Sequence, residues 1–463
     1  MTLTACSGFV GRAPLDASVD TDVADADAAS DVASDVASDV ASDVAPACDA
    51  GGFRGVVARS AQLGVASTDG GAPWDFHVKT ATRDHAGRVL LAGGIRGCSL
   101  AGRFDAAVVR LRSDLQVDRT FGVDGRVCVR GPLASALDLV AYGVATDSRR
   151  RVVLVGEAFT RESLRRGLVV RLDESGSLDG RFATDGYLDY RPGVSPSDPL
   201  HAVVLHAVVI DGDDRVIVAG SNEHPFSRNS AGVLTRLDED GSPDSTFNRA
   251  LPVVDTATNG YYAVAKHGDD YLAVGSTTGT AFARVVRYNS LGGLVESFGN
   301  NGASEHRAGR HLNARALGVD GIGRIYVSGG VSAEYNDAAS PPMIVRFRPD
   351  GEPDLSYGNG GAYVVAGAVW SFAYFFDRAM LVRCDGSALI GARVGANAAV
   401  TMLDPSGALE ERFGIDGFAR IPSPSASLFG GVSGIWIDHE TGALRGVASY
   451  SNNAAQTVFE VRP

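Results

Sequence analysis

The sequence has few of the features that identify enzymes, membrane proteins or nucleic-acid-binding proteins. It contains four methionines, three tryptophans and five cysteines among 463 residues, and the cysteines do not have the spacing of a zinc site. No G-x-S-x-G, H-E-x-x-H or paired-carboxylate constellation indicates a hydrolase. No apolar run has transmembrane length, and a net charge of −13 without a basic stripe argues against nucleic-acid binding.

Glycine and short valine-rich runs are abundant instead. The chain has 57 glycines, and its apolar runs are short and bounded by turn residues. No segment long enough to form a helix shows helical periodicity. This composition favours an all-β architecture with many short strands.

Much of the negative charge lies in an N-terminal tail. Between Ser7 and Ala47 there are nine aspartates and one arginine, so this stretch carries −8 of the net charge. Residues 31–45 repeat Asp-Val-Ala-Ser, in which single valines bury too little surface to offset the entropy of ordering. We therefore predict a disordered, self-repelling linker over residues 7–49, with a short solvated helix as the alternative.

A lipobox-like sequence precedes this linker. Residues 3–6, Leu-Thr-Ala-Cys, resemble the lipobox of bacterial lipoproteins, in which the cysteine becomes the acylated first residue. Only two residues precede the box, whereas a signal peptide needs a charged segment and an apolar stretch. We hypothesise that the start codon is placed too late and that residues 1–6 are a signal-peptide remnant; a chance match is the alternative. Lipidation of Cys6 would make the protein an outer-membrane or cell-surface lipoprotein, and otherwise it would be secreted.

The cysteine count suits an extracytoplasmic chain. If Cys6 is lipidated, an even set of four remains, which allows three pairings. Cys98 and Cys128 fall within one repeat and are the best disulfide candidates. Buried free thiols are the alternative.

One phrase recurs six times along the rest of the chain. A typical copy is VVRLDESGSLDGRFATDG at residues 169–186, with an aromatic residue near its end. Spacings of 51 to 65 residues between these aromatic anchors indicate a repeat architecture. The anchors are Phe121, Phe182, Phe247, Phe298, Tyr357 and Phe413.

A second motif, an Asp followed by a turn, an apolar run and a Gly, occurs seven times, as in DGDDRVIVAG at residues 211–220. The seventh copy lacks a complete phrase. The C-terminal residues 457–463 match only the start of the phrase, with Arg462 in the position of Arg171, while residues 51–59 resemble the segment that comes directly after the phrase in other units. We therefore predict a seven-bladed β-propeller of four-stranded blades over residues 50–463, in which the N-terminal strand completes the last blade.

In the second unit, the pattern predicts strands at 138–146, 151–156, 167–173 and 186–190. The units resemble the delta-60 repeat family, β-propeller repeats of bacterial secreted and surface proteins with the signature R-[LFY]-x-x-x-G-x-[LP]-D-x-x-F-G-x-D-G. The resemblance spans essentially all of residues 51–463, and the third and seventh units depart from it most. It implies an architecture and no catalytic residues.

Recurrent charged residues accompany the phrase. An array that binds calcium is one interpretation, but a structural role is favoured, because an Asp at a turn accepts nearby backbone N–H groups and an Arg on the adjoining strand can pair with it. We predict no metal and no cofactor. The arginines are Arg110, Arg171, Arg236, Arg287 and Arg346, and the acidic residues are Asp118, Asp179, Asp244, Asp354 and Glu410.

The innermost strands contain mostly large residues five positions before the hairpin Asp or its equivalent, and in five of the seven units this residue is both large and polar. Because these strands face a central channel, the side chains could line a pocket there. Simple packing with polar tips in channel water is the favoured alternative. The pocket candidates are Lys79, Tyr142, His206, Tyr262 and Arg315.

Irregular segments provide other candidate surfaces. In the aromatic run at 370–376, Trp370, Phe372 and Tyr374 could stack on sugars or anchor a partner, although a buried strand is the favoured alternative. The unequal loops at 157–167 and 331–342 are the most individual surface, and such loops carry recognition on repeat scaffolds.

These observations favour a non-catalytic, surface-anchored or secreted module that binds a protein or a glycan through its variable loops. The alternatives are an extracellular hydrolase or lyase in the central channel, with His206 as base and Arg315 as electrophile, and a purely structural envelope protein. We expect a monomer that binds no nucleic acid and meets the membrane only through a lipid anchor.

Overall fold

The computed structural model describes residues 56–62, 75–96, 98, 103–129, 136–160, 165–191, 202–223, 230–279, 282–307, 311–332, 340–369, 379–424, 430–438, 441–450 and 456–462. These residues form seven sheets, each of four antiparallel strands. The first strands of neighbouring sheets contact one another around a ring, so the all-β, seven-bladed propeller prediction is confirmed. The predicted linker, Cys6 and the aromatic candidates Trp370, Phe372 and Tyr374 lie outside the described residues.

Each blade consists of strands A to D, from the channel outwards. Blade 1 contains β2 (Asp75–Arg83), β3 (Val89–Arg96), β4 (Phe104–Leu111) and β5 (Arg126–Val129). Blade 2 contains β6 (Ala136–Thr146), β7 (Val152–Thr160), β8 (Arg165–Leu172) and β9 (Tyr187–Tyr190). Blade 3 contains β10 (Ala202–Ile210), β11 (Val216–Glu223), β12 (Ala231–Leu237) and β13 (Val253–Asp255). Blade 4 contains β14 (Thr258–His267), β15 (Asp270–Thr277), β16 (Ala283–Tyr288) and β17 (Ala303–His306).

The remaining blades have the same order. Blade 5 contains β18 (His311–Val319), β19 (Ile325–Ser332), β20 (Pro342–Phe347) and β21 (Ala362–Val364). Blade 6 contains β22 (Met380–Val382), β23 (Ala388–Val394), β24 (Asn397–Leu403) and β25 (Phe418–Ile421). Blade 7 contains β26 (Gly430–Ile437), β27 (Leu444–Tyr450), β28 (Gln456–Arg462) and, as its outer strand, β1 (Val56–Gln62).

The first and last described strands close the ring, as the sequence predicts. Strand β1 pairs antiparallel with β28, from Val56 opposite Arg462 to Gln62 opposite Thr457. The last blade therefore has its fourth strand, and β28 is not left as an open edge.

Buried aromatic anchors pack between the blades. All six phrase anchors are at most 1% exposed. In five blades the residue after the anchor donates its backbone N–H to a carbonyl in the C–D turn of the next blade, at 2.7–2.8 Å. Residues of the recurrent phrase thus form the contact between neighbouring blades, which we call the seam.

The recurrent arginines reinforce this seam. In blade 2, the guanidinium of Arg171 bonds Asp179 at 2.9 Å, lies 4.6 Å from the ring centre of Phe182 and donates to the carbonyl of Glu239 in blade 3. Equivalent Arg–Asp pairs with Nε–Oδ2 distances of 2.6–2.7 Å occur in blades 1, 3 and 5. In blade 4, Arg287 pairs instead with Asp270 at 2.7 Å. The described geometry therefore gives these residues a structural role.

Blade 7 corrects one sequence alignment. The register places Glu460, not Arg462, at the position of Arg171, because Glu460 lies opposite Arg445 as Arg171 lies opposite Val153. The charges are exchanged across the two strands. Arg445 pairs with Glu460 at 3.1 Å and donates to the carbonyl of Ser113 in blade 1 at 2.7 Å. The seam between blades 7 and 1 therefore also contains an arginine, but this arginine comes from strand B and not from strand C.

Candidate functional site

The A strands share one irregularity that sets the geometry of the channel. In six blades the register between strands A and B shifts by one residue near the middle of strand A. Such a β-bulge re-aims the extra side chain. The bulge residues are Lys79, Tyr142, His206, Tyr262, Arg315 and Ser433.

All five sequence-predicted channel residues are therefore bulge residues, a feature that the repeat count did not reveal. The signal for it is the Gly that ends the hairpin motif. A Cβ on Gly220 would overlap the carbonyl oxygen of Val204, two residues before the bulge at His206. The same overlap arises at Gly93, Gly156 and Gly275 in blades 1, 2 and 4. The motif glycine thus makes room for the bulged strand.

A cavity of about 190 Å³ lies in the channel. Tyr142, His206, Tyr262 and Arg315 line it together with residues from the A strands of all seven blades. In blades 2 to 5 its lining starts at the bulge residue and continues for two residues towards the A–B turn. The cavity therefore occupies the half of the channel on the side of the A–B turns, away from the ends of strand B that lead towards strand C.

The four large side chains form a continuous row across blades 2 to 5. The ring centres of Tyr142 and His206 are 5.9 Å apart, and those of His206 and Tyr262 are 4.6 Å apart. The guanidinium carbon of Arg315 lies 3.6 Å from the ring centre of Tyr262. We call these four residues the channel row.

Strand B holds two members of the channel row in place. The Tyr142 hydroxyl donates to Oε1 of Glu157 at 2.8 Å, and Nε2 of His206 lies 3.1 Å from Oγ of Ser221. Glu157 and Ser221 each come directly after the motif glycine of their blade. The same hairpin therefore creates the bulge and orients the bulged side chain.

The other three blades depart from the row. Lys79 is a bulge residue that does not line the cavity. Burial, opposed by the attraction of Asp75, lowers the pKa of His77 to about 4, and the Lys79 ammonium contributes to this lowering. Strand β22 of blade 6 contains no bulge in its described register, and Met380 lines the cavity there. Ser433 is buried and hydrogen-bonds Ser449 at 2.7 Å.

The cavity has a distinct electrostatic character. Arg83, Arg315 and His206 are lining residues, whereas no Asp or Glu belongs to the described lining.

Within the described ranges, no group of three or more His, Cys, Asp or Glu side chains could hold a metal ion. No helix in the described part of the chain is long and apolar enough to span a bilayer.

Other candidate residues lie away from the channel. Cys98 and Cys128 form a disulfide with a Cα–Cα distance of 6.3 Å, which ties the segment after β3 to β5 in blade 1. Cys384 is also disulfide-bonded. The predicted recognition loops connect β7 to β8 and β19 to β20, and their residues 161–164 and 333–339 lie outside the described ranges.

A match to a family model supports the β-propeller architecture. Residues 212–247 match the model of a family described as a domain of unknown function (DUF5122) β-propeller. No curated protein matches the sequence. Similar solved structures include the polysaccharide lyase Uly1 at 7% identity and a TM-score of 0.47, covering 88% of this chain and 99% of the lyase.

Two further structures are similar at the same low level. The periplasmic gluconolactonase PpgL of Pseudomonas aeruginosa has 13% identity and a TM-score of 0.43, over 72% of this chain and 83% of that one. An acylaminoacyl peptidase of Pyrococcus horikoshii has 10% identity and a TM-score of 0.44, over 84% of this chain and 52% of the peptidase. The chain is a seven-bladed β-propeller, and one of its repeats matches the family model.

Proposed function

We propose that this protein is an extracytoplasmic, non-catalytic binding module whose channel cavity holds one polar ring of a ligand, such as a sugar residue. The observation that carries the proposal is the channel row, three rings and a guanidinium that line one cavity on four adjacent blades. Ligand sites combine aromatic walls with a few placed polar groups, and the row supplies both.

The size of the cavity limits the ligand. About 190 Å³ is below the roughly 300–1,000 Å³ of sites for drug-sized molecules. One ring, either a free monosaccharide or the end of a longer glycan, matches this space. The described ends of strand B at which the variable loops begin lie on the opposite side of the ring, and these loops would supply a separate surface for a protein partner.

The Cys98–Cys128 disulfide supports the extracytoplasmic location, because such bonds persist in oxidising compartments. Anchoring through Cys6 is part of the same proposal. It is tested by mass spectrometry of the mature N-terminus expressed with its upstream codons. An unmodified Cys6, or an upstream sequence without a signal peptide, would remove the anchor from the proposal.

A lyase or hydrolase in the channel is the second candidate. His206 and Arg315 both flank Tyr262, so a base and a cation would lie on either side of one ring. Against it, Nε2 of His206 lies within hydrogen-bond distance of Ser221, and no carboxylate lines the described cavity. A purely structural envelope role predicts neither binding nor turnover.

A binding experiment separates these functions. The full chain is screened on a glycan array, and hits are measured by titration calorimetry. Tyr262→Ala should weaken binding tenfold or more, because it removes the ring that lies between His206 and Arg315 in the row. Replacement of residues 333–339 by a Gly-Ser segment of equal length is the control and should leave affinity unchanged.

If the loop replacement weakens binding and Tyr262→Ala does not, the binding site lies in the loops. The absence of any saturable ligand would favour the structural role. Turnover of a bound glycan that is lost in His206→Ala would favour the enzyme.

A further inference from the structure

The charge of the cavity differs from that of the protein. The chain carries a net charge of −13, yet the described cavity lining contains two arginines, one histidine and no carboxylate. A concave site lined by one sign of charge concentrates ligands of the opposite sign. The positive charge of the lining is a second property of the cavity, separate from the stacking of its rings.

The two arginines have different surroundings. Arg83 donates to the carbonyl of Ile437 at 3.2 Å. Burial alone would raise the pKa of Asp438, but hydrogen bonds from Thr441 and the charges of Arg445 and Arg83 lower it. Arg315 is the arginine that belongs to the channel row.

Stacking gives Arg315 a defined orientation. Its guanidinium carbon lies 3.6 Å from the ring centre of Tyr262, a cation–π distance. The N–H groups of a guanidinium lie in its plane and form a fork that matches a carboxylate or a sulfate. Tyr262 thus presents one face to the cation and stands next to His206 in the row.

We propose that the ligand of the channel cavity is an anionic saccharide, with its carboxylate or sulfate group at Arg315 and its ring beside Tyr262 and His206, the two middle members of the channel row. This inference rests on the proposed function, since it specifies the ligand class of the same site. The anionic group complements the two arginines of the lining, and the ring and its anionic group share the cavity of about 190 Å³.

The test compares matched ligands on the full chain by titration calorimetry. D-glucuronate is compared with D-glucose, and N-acetylglucosamine 6-sulfate with N-acetylglucosamine, so that the two possible anionic groups are measured separately. We expect the anionic member of at least one pair to bind tenfold or more tightly than its neutral partner. Its affinity should fall as salt is added, because the attraction is electrostatic.

Variants of arginine locate the effect. Arg315→Gln should abolish the preference for the anionic ligand, and Arg315→Lys, which keeps the charge without the fork, should retain part of it. Arg348→Gln is the control, because Arg348 belongs to the same blade and its side chain is 53% exposed. Thermal melts of all three variants establish that they fold.

The outcomes separate the two proposals. Equal affinity for charged and neutral members overturns the anionic inference and leaves the binding proposal standing. Preference that survives Arg315→Gln also overturns it. If neither pair binds and the glycan array is silent, the binding proposal itself fails.

Discussion

At the scale of single residues, the seam arginine of blade 2 makes three kinds of contact at once. Arg171 is 1% exposed, and its guanidinium meets a carboxylate, an aromatic face and a carbonyl of the next blade. A buried cation is costly unless its hydrogen bonds are satisfied, and this geometry satisfies them. The seam therefore combines charge pairing with apolar burial in a single side chain.

This arrangement predicts a large effect of truncation. Arg171→Ala should lower the free energy of unfolding by about 3 kcal/mol, because it leaves Asp179 and the Glu239 carbonyl without their charged donor. Chemical denaturation measures the loss. Arg181→Ala, an exposed arginine in the same blade, should stay within about 0.5 kcal/mol of the parent. Equal effects of the two substitutions would contradict the structural role of the seam arginine.

The pH dependence of this loss has a definite sign. Burial alone would raise the pKa of Asp179, but hydrogen bonds from Arg181 and Arg171 lower it below its usual value. The pair therefore contributes stability above the unfolded-state pKa of about 3.9 and loses it as the pH falls through the folded-state pKa. The difference between parent and Arg171→Ala should accordingly shrink in strong acid.

Residue identity was predictable from the sequence where the repeat is regular. The Arg and Asp of blade 2 recur at constant spacing, so their pairing could be anticipated. The slip at Arg462 has a physical cause, because strand register, and not local similarity, decides which residue faces Arg445. A charge exchange between neighbouring strands leaves no repeat signal on either one.

At the scale of the element, the strand A bulge and the motif glycine form one unit. The glycine lacks the Cβ that would meet the carbonyl of the bulged strand. Gly220→Ala should therefore lower the free energy of unfolding by about 2–3 kcal/mol and displace His206 from the channel row. Gly212→Ala, in the same blade, is the matched control, because a Cβ there meets no atom within 4 Å.

The control should be neutral or slightly stabilising, since alanine restricts the unfolded chain. Denaturation curves and the affinity for the cavity ligand measure the two consequences. A tolerated Gly220→Ala with intact binding would show that the bulge does not depend on the glycine.

Strand positions were predictable and the bulges were not. In blade 2, the predicted strand starts and ends lie within four residues of those observed. A bulge depends on the pairing of two strands, which alternation along one strand does not reveal. The sequence therefore identified Tyr142, His206, Tyr262 and Arg315 as channel residues without indicating why they project. It also placed Lys79 in the pocket, where the described lining does not include it.

At the scale of the whole molecule, β1 closes the ring by pairing with β28. Consecutive residues of an edge strand direct their N–H groups alternately towards and away from the partner strand. Ser60 and Ala61 are consecutive and both lie within the paired register. Proline at one of these two positions should thus remove a ladder hydrogen bond, and at the other it should not.

We expect one of Ser60→Pro and Ala61→Pro to lower the free energy of unfolding by about 1–3 kcal/mol and the other to have a clearly smaller effect. Each variant is the control of the other, and thermal or chemical denaturation provides the measurement. If both are neutral, β1 does not contribute to closure in solution.

The bulge has a consequence for how such a ring can change over evolutionary time. Each bulged side chain stands outside the regular strand register, so its replacement leaves the ladder of the blade intact. In the six blades with a bulge, the bulge position is occupied by a lysine, two tyrosines, a histidine, an arginine and a serine. The bulge residues can therefore be substituted while the strand pairing of each blade is retained, and new ligand preferences can arise by substitution in one blade at a time.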